Sequence, residues 1–256
     1  MNTLERALIE KAGCEHGWEN VMRSDDSLVI LSSARHPAKI SISQHPQGRG
    51  WLVETPAGLI SQELTRAWPK ACVAGIDAFE AKDIDELALL LRRTAELAQS
   101  LPNQAVLKYR ATLSKELANA KVTATEVECI VRQRVGQDTF RQALMDYWGG
   151  ACAVTGLDLS EVLRASHAKP WAVCQSDEER LDVFNGFLLS ANLDALFDRG
   201  LITFDDNGMM ICSSRMSSAQ RQALGLDRTL NLRWLADAHL PYLAWHRDNI
   251  FTMGLD

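Results

Sequence analysis

The sequence predicts an α+β protein with a small N-terminal α+β domain in residues 1–100, then a helical connector and a C-terminal domain in residues 101–256. Short strand-like runs occupy residues 27–54, and amphipathic helical patterns fill most of residues 83–148. A dense group of His, Asn and Asp residues lies between positions 166 and 200. At 256 residues and 46% hydrophobic, the chain is long enough for two ordinary domains.

Hydrophobic spacing predicts the elements of the N-terminal domain. Leu4, Ala7 and Leu8 fall at helical spacing, so we expect a first helix over residues 3–12. Runs rich in Val and Ile, separated by turn residues, predict strands over residues 27–32, 38–43 and 51–54. The clearest helix covers residues 83–99, where apolar residues form one stripe and acids in the first turn suit the helix dipole.

The connector is predicted to be helical and is the most basic part of the chain. Helices are expected over residues 104–120 and about 125–148, and Gly149 and Gly150 end the second. Residues 104–141 carry seven Lys or Arg against four Asp or Glu. Such a face is either a solvated surface or a contact with a DNA backbone, and the sequence leaves both open.

Composition narrows the class of protein. No apolar run reaches the ~18 residues that a membrane span needs, and the N-terminus lacks the layout of a signal peptide, so we expect a cytoplasmic protein. The six cysteines are scattered without a CxxC pair, which argues against a zinc ribbon and a disulfide scaffold. We expect them to be small core residues in a reducing compartment.

The net charge of −6 lies wholly in the C-terminal half, since residues 126–256 hold 12 basic and 18 acidic residues. Affinity for DNA comes mostly from Lys and Arg that neutralise phosphates, so non-specific binding should be weak. Some of the acids could hold a cation. The protein would then bind DNA through a local basic strip, or a partner protein would deliver the DNA.

Four sequence pieces lie in order between about residues 131 and 214: RVGQDTFRQAL, YWGGACAVTG, VLRASHAKPW and NGFLLSANLDALFDRGLITF. In this order they resemble the McrA-like branch of the HNH endonucleases. The resemblance implies a ββα-metal (HNH) nuclease domain. It also implies hydrolysis of phosphodiester bonds with a divalent metal ion.

Phosphodiester hydrolysis needs a base for water and a cation for the developing charge. His167 is the candidate base, since imidazole titrates near neutral pH. A lone histidine is more often structural, but the resemblance gives His167 the role of base. It also gives Asn185 the role of holding the loop that orients this histidine, and Asn-Gly is itself a turn dipeptide.

Asp194 stands where the family has its final histidine or asparagine ligand, which makes the pattern H-N-D. Asp198 lies one helical turn further on the same face, and the two are either metal ligands or solvated aspartates. Ser166 replaces a residue that is often a ligand in relatives, and we infer that Asp198 compensates. Oxygen ligands favour Mg²⁺ or Mn²⁺ over Zn²⁺.

Five basic residues are candidates for contact with nucleic acid, each with a structural alternative such as a local ion pair: Arg134, Arg141, Arg164, Lys169 and Arg199. His246 is expected to lie on a packing helix.

We therefore predict a metal-dependent endonuclease that nicks or cuts duplex DNA in a restriction or anti-phage defence system, with other proteins of that system as candidate partners. One such site attacks one strand, so a monomer would nick and a dimer could break both strands. A catalytically quiet HNH-like module that binds DNA or assembles a defence complex is the alternative. RNA is a third option for the substrate, since the same phosphate chemistry would serve.

Overall fold

The computed structural model describes residues 1–47, 50–101, 103–120 and 125–253. Helices make up 47% and strands 18% of the structure, which confirms the α+β class. The chain divides into two compact units, Met1–Gln104 and Ala105–Asp256.

The first unit is built on an antiparallel sheet with strands in the order β1-β2-β3-β4-β5. Its strands are β1 (Asn20–Ser24), β2 (Leu28–Ser32), β3 (Lys39–Gln44), β4 (Trp51–Glu54) and β5 (Ala78–Ala81). Buried residues alternate along β2 and β3, so one face of the sheet forms a core. Three helices belong to this unit: α1 (Thr3–Glu15), α2 (Leu59–Ala67) and α3 (Ile84–Ser100). The sequence predicted α1, α3 and β2–β4 to within a few residues, but not β1, β5 or α2.

The second unit holds the remaining helices, of which α4 (Gln104–Ala120) begins at the unit boundary. They are α4, α5 (Thr125–Tyr147), α6 (Asp177–Arg180), α7 (Ala191–Asp198), α8 (Ser218–Ala223) and α9 (Leu240–Asn249). Its strands form two antiparallel pairs, β6 (Leu163–His167) with β7 (Gly186–Ser190), and β8 (Ile202–Phe204) with β9 (Met210–Cys212). Both connector helices fall close to their predicted bounds.

The pair β6–β7 followed by α7 forms a ββα arrangement. Helix α7 packs on β6, β7 and β8, and α5 packs on β6 and β7. The core between them is aromatic: Phe187 lies 5.8 Å from Phe197 and 5.6 Å from Phe204, measured between ring centroids. All three rings are fully buried, so α7 is held rigidly against the hairpin.

His246 confirms the predicted role of α9 as a packing helix. Its ring stacks on Phe197 with centroids 3.9 Å apart, and its two nitrogens hydrogen-bond to Thr203 Oγ1 and the Phe197 carbonyl oxygen at 3.0 Å each. Burial lowers its pKa to about 4. It is therefore a neutral core residue at pH 7.

The C-terminal segment crosses the end of α7. Gly200 has φ +63°, and a Cβ there would lie 2.0 Å from the Ile250 carbonyl oxygen. The Thr252 amide donates to the Gly200 carbonyl oxygen at 3.1 Å. Gly200 follows the C-cap of α7, where glycine is favoured, and it also makes room for this crossing.

Two expectations about composition had different outcomes. Cys152 and Cys174 are buried, but Cys14 and Cys129 are exposed and Cys72 and Cys212 half-buried, so the core role predicted for all six cysteines is wrong for four. None of the helices in the described part of the chain is long and apolar enough to cross a membrane.

Candidate active site

The end of strand β6 divides the candidate residues between its two faces. His167 is the last residue of β6 and pairs with Gly186 at the start of β7. Successive strand residues point to opposite faces. Accordingly, Ser166 Oγ donates a hydrogen bond to Asp194 Oδ1 on α7, whereas the His167 ring packs against α5.

The ring of His167 is held on two sides. It stacks on Phe140 of α5, with centroids 3.7 Å apart and planes at 11°. Its Nε2 lies 2.8 Å from the carbonyl oxygen of Arg180, which can only accept, so Nε2 carries the proton and Nδ1 the lone pair. Within the described residues, nothing hydrogen-bonds to Nδ1. Burial lowers the pKa of His167 to about 4, although the Arg180 carbonyl opposes this, so the ring is neutral at pH 7.

Arg180, which the sequence did not single out, organises the loop beside the histidine. Its guanidinium donates to the carbonyl oxygens of Trp171 at 3.2 Å and Cys174 at 2.7 Å, and it forms an ion pair with Asp177 at 3.1 Å. These bonds fix the backbone whose carbonyl oxygen meets His167. Arg180 lies five positions before Asn185, and only the folded loop shows its role.

Asn185 holds the same loop from the inside. The residue is fully buried; its Oδ1 accepts from the Lys169 amide at 2.8 Å, and its Nδ2 donates to the carbonyl oxygens of Lys169 and Glu179 at 3.1 and 3.0 Å. It therefore ties residues on both sides of the loop together. The Asn-Gly pair does not form the tight turn expected: Asn185 ends a 3-10 turn and Gly186 is extended, with φ −174°.

Gly186 is required for close approach rather than for a turn. A Cβ there would lie 2.5 Å from the Ser166 carbonyl oxygen and 2.7 Å from Cζ of Phe140. The missing side chain thus lets β6 and Phe140 close around His167.

A second support of the loop comes from α9. Asp182 Oδ1 accepts from the Phe184 amide, and Oδ2 accepts from the Tyr242 hydroxyl at 3.0 Å. Burial raises the pKa of Asp182, and burial together with the Asp182 charge raises the pKa of Tyr242. The hydroxyl of Tyr242 therefore stays protonated and donates.

Asp194 and Asp198 lie one turn apart on α7. Although Asp198 is exposed, the protein atoms around its carboxylate, and then the charge of Asp194, raise its pKa to about 6, against the opposing charge of Arg199. The two carboxylates therefore repel one another. A cation between them would remove that repulsion.

The carboxylate ligands of this site suit one class of metal ion. Among the residues that the structure describes, no three His, Cys, Asp or Glu side chains come together as a metal cluster. Asp194 and Asp198 nevertheless supply two carboxylates. Mg²⁺ commonly binds through one or two carboxylates, with water and substrate phosphate completing its shell. The pair fits a hard cation of that kind and lacks the nitrogen and sulfur ligands of a typical zinc site.

Most of the basic candidates already have partners. Arg134 pairs with Glu116 at 2.9 Å, and Lys169 pairs with Glu179 at 2.5 Å. Arg141 donates to the carbonyl oxygens of Leu163 and Ser160, and Arg164 to those of Glu161 and Leu163. The side chain of Arg199 is exposed and makes no hydrogen bond with any described residue.

The basic connector shows a similar pattern. Arg110 pairs with Glu178 and Arg132 with Glu128, whereas Lys121 lies outside the described residues. Acidic partners therefore neutralise several cations of this stretch, which favours the solvated-surface interpretation there.

The candidate site lies within a segment of the chain that matches a known protein family. Residues 152–205 match the family model described as HNH endonuclease. The matched segment includes β6, β7 and α7 and thus His167, Asn185, Asp194 and Asp198. No curated protein matches the chain significantly. The resemblance predicted from the sequence is confirmed over this segment of the second unit.

Proposed function

We propose that this HNH domain is a working endonuclease that hydrolyses DNA phosphodiester bonds with a divalent metal ion, and that His167 is its general base. The observation that carries the proposal is the state of the imidazole. Its Nε2–H is committed to the Arg180 carbonyl oxygen, and its Nδ1 has no partner among the described residues. The ring is neutral at pH 7, so the Nδ1 lone pair is free to take a proton from water, while the lowered pKa makes the ring a weaker base than an exposed histidine.

The surrounding residues keep that base in place. Phe140 fixes the plane of the ring, and the loop held by Arg180 and Asn185 fixes its rotation. A fixed base avoids the entropic cost of finding the reactive orientation.

Asp194 and Asp198 would hold the metal ion, with Ser166 orienting Asp194 through its hydroxyl. Mg²⁺ or Mn²⁺ bound there would stabilise the charge on the phosphate and the leaving oxygen.

Contact with duplex DNA is assigned first to Arg199, which is exposed beside Asp198. Arg134 and Lys169 can exchange their carboxylate partners for phosphate, and the pair of Arg134 is exposed and so contributes little stability. Arg141 and Arg164 are committed to main-chain carbonyls, and they would reach DNA only with their remaining N–H groups. A place in a restriction or anti-phage system rests on the resemblance alone.

The test is plasmid nicking in Mg²⁺ or Mn²⁺ by the full chain and by His167→Ala, with His16→Ala as a matched control in the other unit. We expect wild type and the control to relax supercoiled DNA alike. Loss of a general base should slow His167→Ala by ~10²-fold or more. Equal rates for all three proteins would remove His167 from the mechanism.

The catalytically quiet module is kept as a second candidate because no three-ligand metal cluster occurs in the described part of the chain. Titration calorimetry with Mn²⁺ in the presence of DNA separates the two. A working nuclease should bind Mn²⁺ and lose that binding in Asp194→Asn, whereas a quiet module should show no binding in either protein. Matched RNA duplexes in the nicking assay would reveal an RNA substrate.

A further inference from the structure

Helix α5 contains a glycine at a position where glycine disfavours a helix. Gly136 lies within the Thr125–Tyr147 helix and is buried. A Cβ at this position would lie 2.1 Å from Cη2 of Trp171 and 2.8 Å from both Cζ2 and Cζ3. The benzo edge of the indole therefore occupies the space that any other residue would fill.

Trp171 connects the packing site at Gly136 to the loop beside His167. It opens the 3-10 turn Trp171–Val173, and its carbonyl oxygen accepts from Nε of Arg180 at 3.2 Å. The Arg180 guanidinium lies 5.6 Å from the indole centroid, on the path from Trp171 to the carbonyl that binds His167. Moving the indole would therefore move Arg180.

The same face of α5 also contacts the imidazole directly. Phe140 is one helical turn after Gly136, so both residues lie on one side of the helix. Phe140 stacks on His167, and the Trp171 ring meets His167 edge-on at 6.2 Å between centroids. Helix α5 therefore positions the imidazole of His167 through two contacts: the Phe140 ring stacks on it, and the indole of Trp171, which packs on Gly136, meets its edge.

We propose that Gly136 and Trp171 are positioning residues for His167, and that their contact fixes the imidazole through Arg180 in the orientation that accepts a proton. The proposal rests on the proposed function of His167 as base. Neither residue touches the reacting atoms. Their contact defines where the imidazole stands, so α5 belongs to the active site although it supplies no reacting group.

The experiment compares Gly136→Ala, Trp171→Phe and the double variant with wild type, and Gln133→Ala serves as a control for helix propensity on an exposed position of α5. The added methyl should displace the indole. We expect kcat for nicking to fall ~10- to 100-fold in Gly136→Ala with KM for DNA unchanged, since small displacements of a reacting group have effects of this size. Phenylalanine lacks the benzo edge that the methyl meets. The double variant should therefore cut faster than Gly136→Ala.

A second readout does not depend on cleavage. The His167 ring protons should resonate upfield in wild type because of the stacked Phe140, and should move toward ordinary histidine positions in Gly136→Ala. This shift, with Gln133→Ala unchanged, supports the proposal even if wild type cuts no DNA, in which case only the proposed function fails. If Gly136→Ala does not fold, Trp171→Phe alone should show a smaller loss of kcat and a smaller shift.

Two results would overturn the proposal. One is a folded Gly136→Ala that keeps both the wild-type kcat and the wild-type His167 resonances. The other is a double variant no faster than Gly136→Ala, because the two side chains would then act independently.

Discussion

The hydroxyl of Ser166 on β6 donates a hydrogen bond to the carboxylate of Asp194 on α7. This bond joins the first strand of the ββα unit to its helix at the position where a relative's acidic or histidine ligand would stand. Serine is a weak metal ligand, but under the proposed function its hydroxyl would orient a stronger one, the carboxylate of Asp194. The bond therefore offers a direct test of how Asp194 is held.

Ser166→Ala should lower the free energy of unfolding by about 1 kcal/mol, since a hydrogen bond to a charged group is lost but Asp194 is half-buried and can meet water. It should also weaken Mn²⁺ binding several-fold in calorimetry. Ser190→Ala is the matched control, because Ser190 is a buried serine whose hydroxyl donates to Asn192. Equal Mn²⁺ affinities in the two variants would show that Ser166 does not orient the ligand.

The two buried histidines should lower the free energy of unfolding as the pH falls from about 6.5 toward 4, and the raised pKa values of Asp198 and Asp182 should offset part of this loss. His167 and His246 each have a pKa of about 4 in the folded protein against an ordinary value of 6.5. Between these values the unfolded chain binds more protons than the folded one, so acid favours unfolding. The upper limit for one fully buried histidine is roughly 3 kcal/mol. Urea titrations across this range, with His246→Gln as the comparison, would show a flatter profile in the variant.

Asn185→Ala should lower the free energy of unfolding by about 3 kcal/mol or more, because the buried amide bonds to both sides of the loop and its partners would be left unsatisfied. Asn20→Ala, at an exposed position on β1, should change it by less than about 0.5 kcal/mol. Urea denaturation measures both. A small loss at Asn185 would mean that the loop is held chiefly by Arg180.

Gly186→Ala should destabilise the protein by about 1–3 kcal/mol because the methyl group meets both the Ser166 carbonyl and Phe140. Adding Phe140→Leu should not restore stability, since the clash with the β6 backbone remains. Thermal unfolding of the single and double variants provides the comparison. Full recovery in the double variant would show that the aromatic ring alone requires glycine.

The elements that sequence predicted well are those whose pattern is set by burial on one face. Helix α4 was expected over the very residues it covers, and β2 and β3 show the alternation of a half-buried strand. Strand β1 was missed because all five of its residues are exposed and leave no such pattern. Strand β5 was missed because its residues, AFEA, include no β-branched side chain, whereas the equally short β4 contains Trp51 and Val53.

The sequence predicted those parts of the candidate site whose side chains lie close together within one motif. The ββα order and the spacing of Asp194 and Asp198 follow from the sequence between residues 163 and 198. The contacts that hold His167 could not be predicted from the sequence, because they depend on the main-chain carbonyl of Arg180 and on the ring of Phe140 in α5. Main-chain contacts carry no residue signature, and Phe140 reads simply as a core aromatic. Gly136 is the one available signal, since glycine inside a long helix calls for a packing reason.

The crossing of the C-terminal segment over Gly200 has a practical consequence for handling this protein. Removing the chain from Ile250 onward would uncover the end of the helix that presents both aspartates. A purification tag joined shortly after Thr252 would disturb the packing of this segment on Gly200. Placing the tag before Met1 keeps it in the first unit and leaves this closure intact.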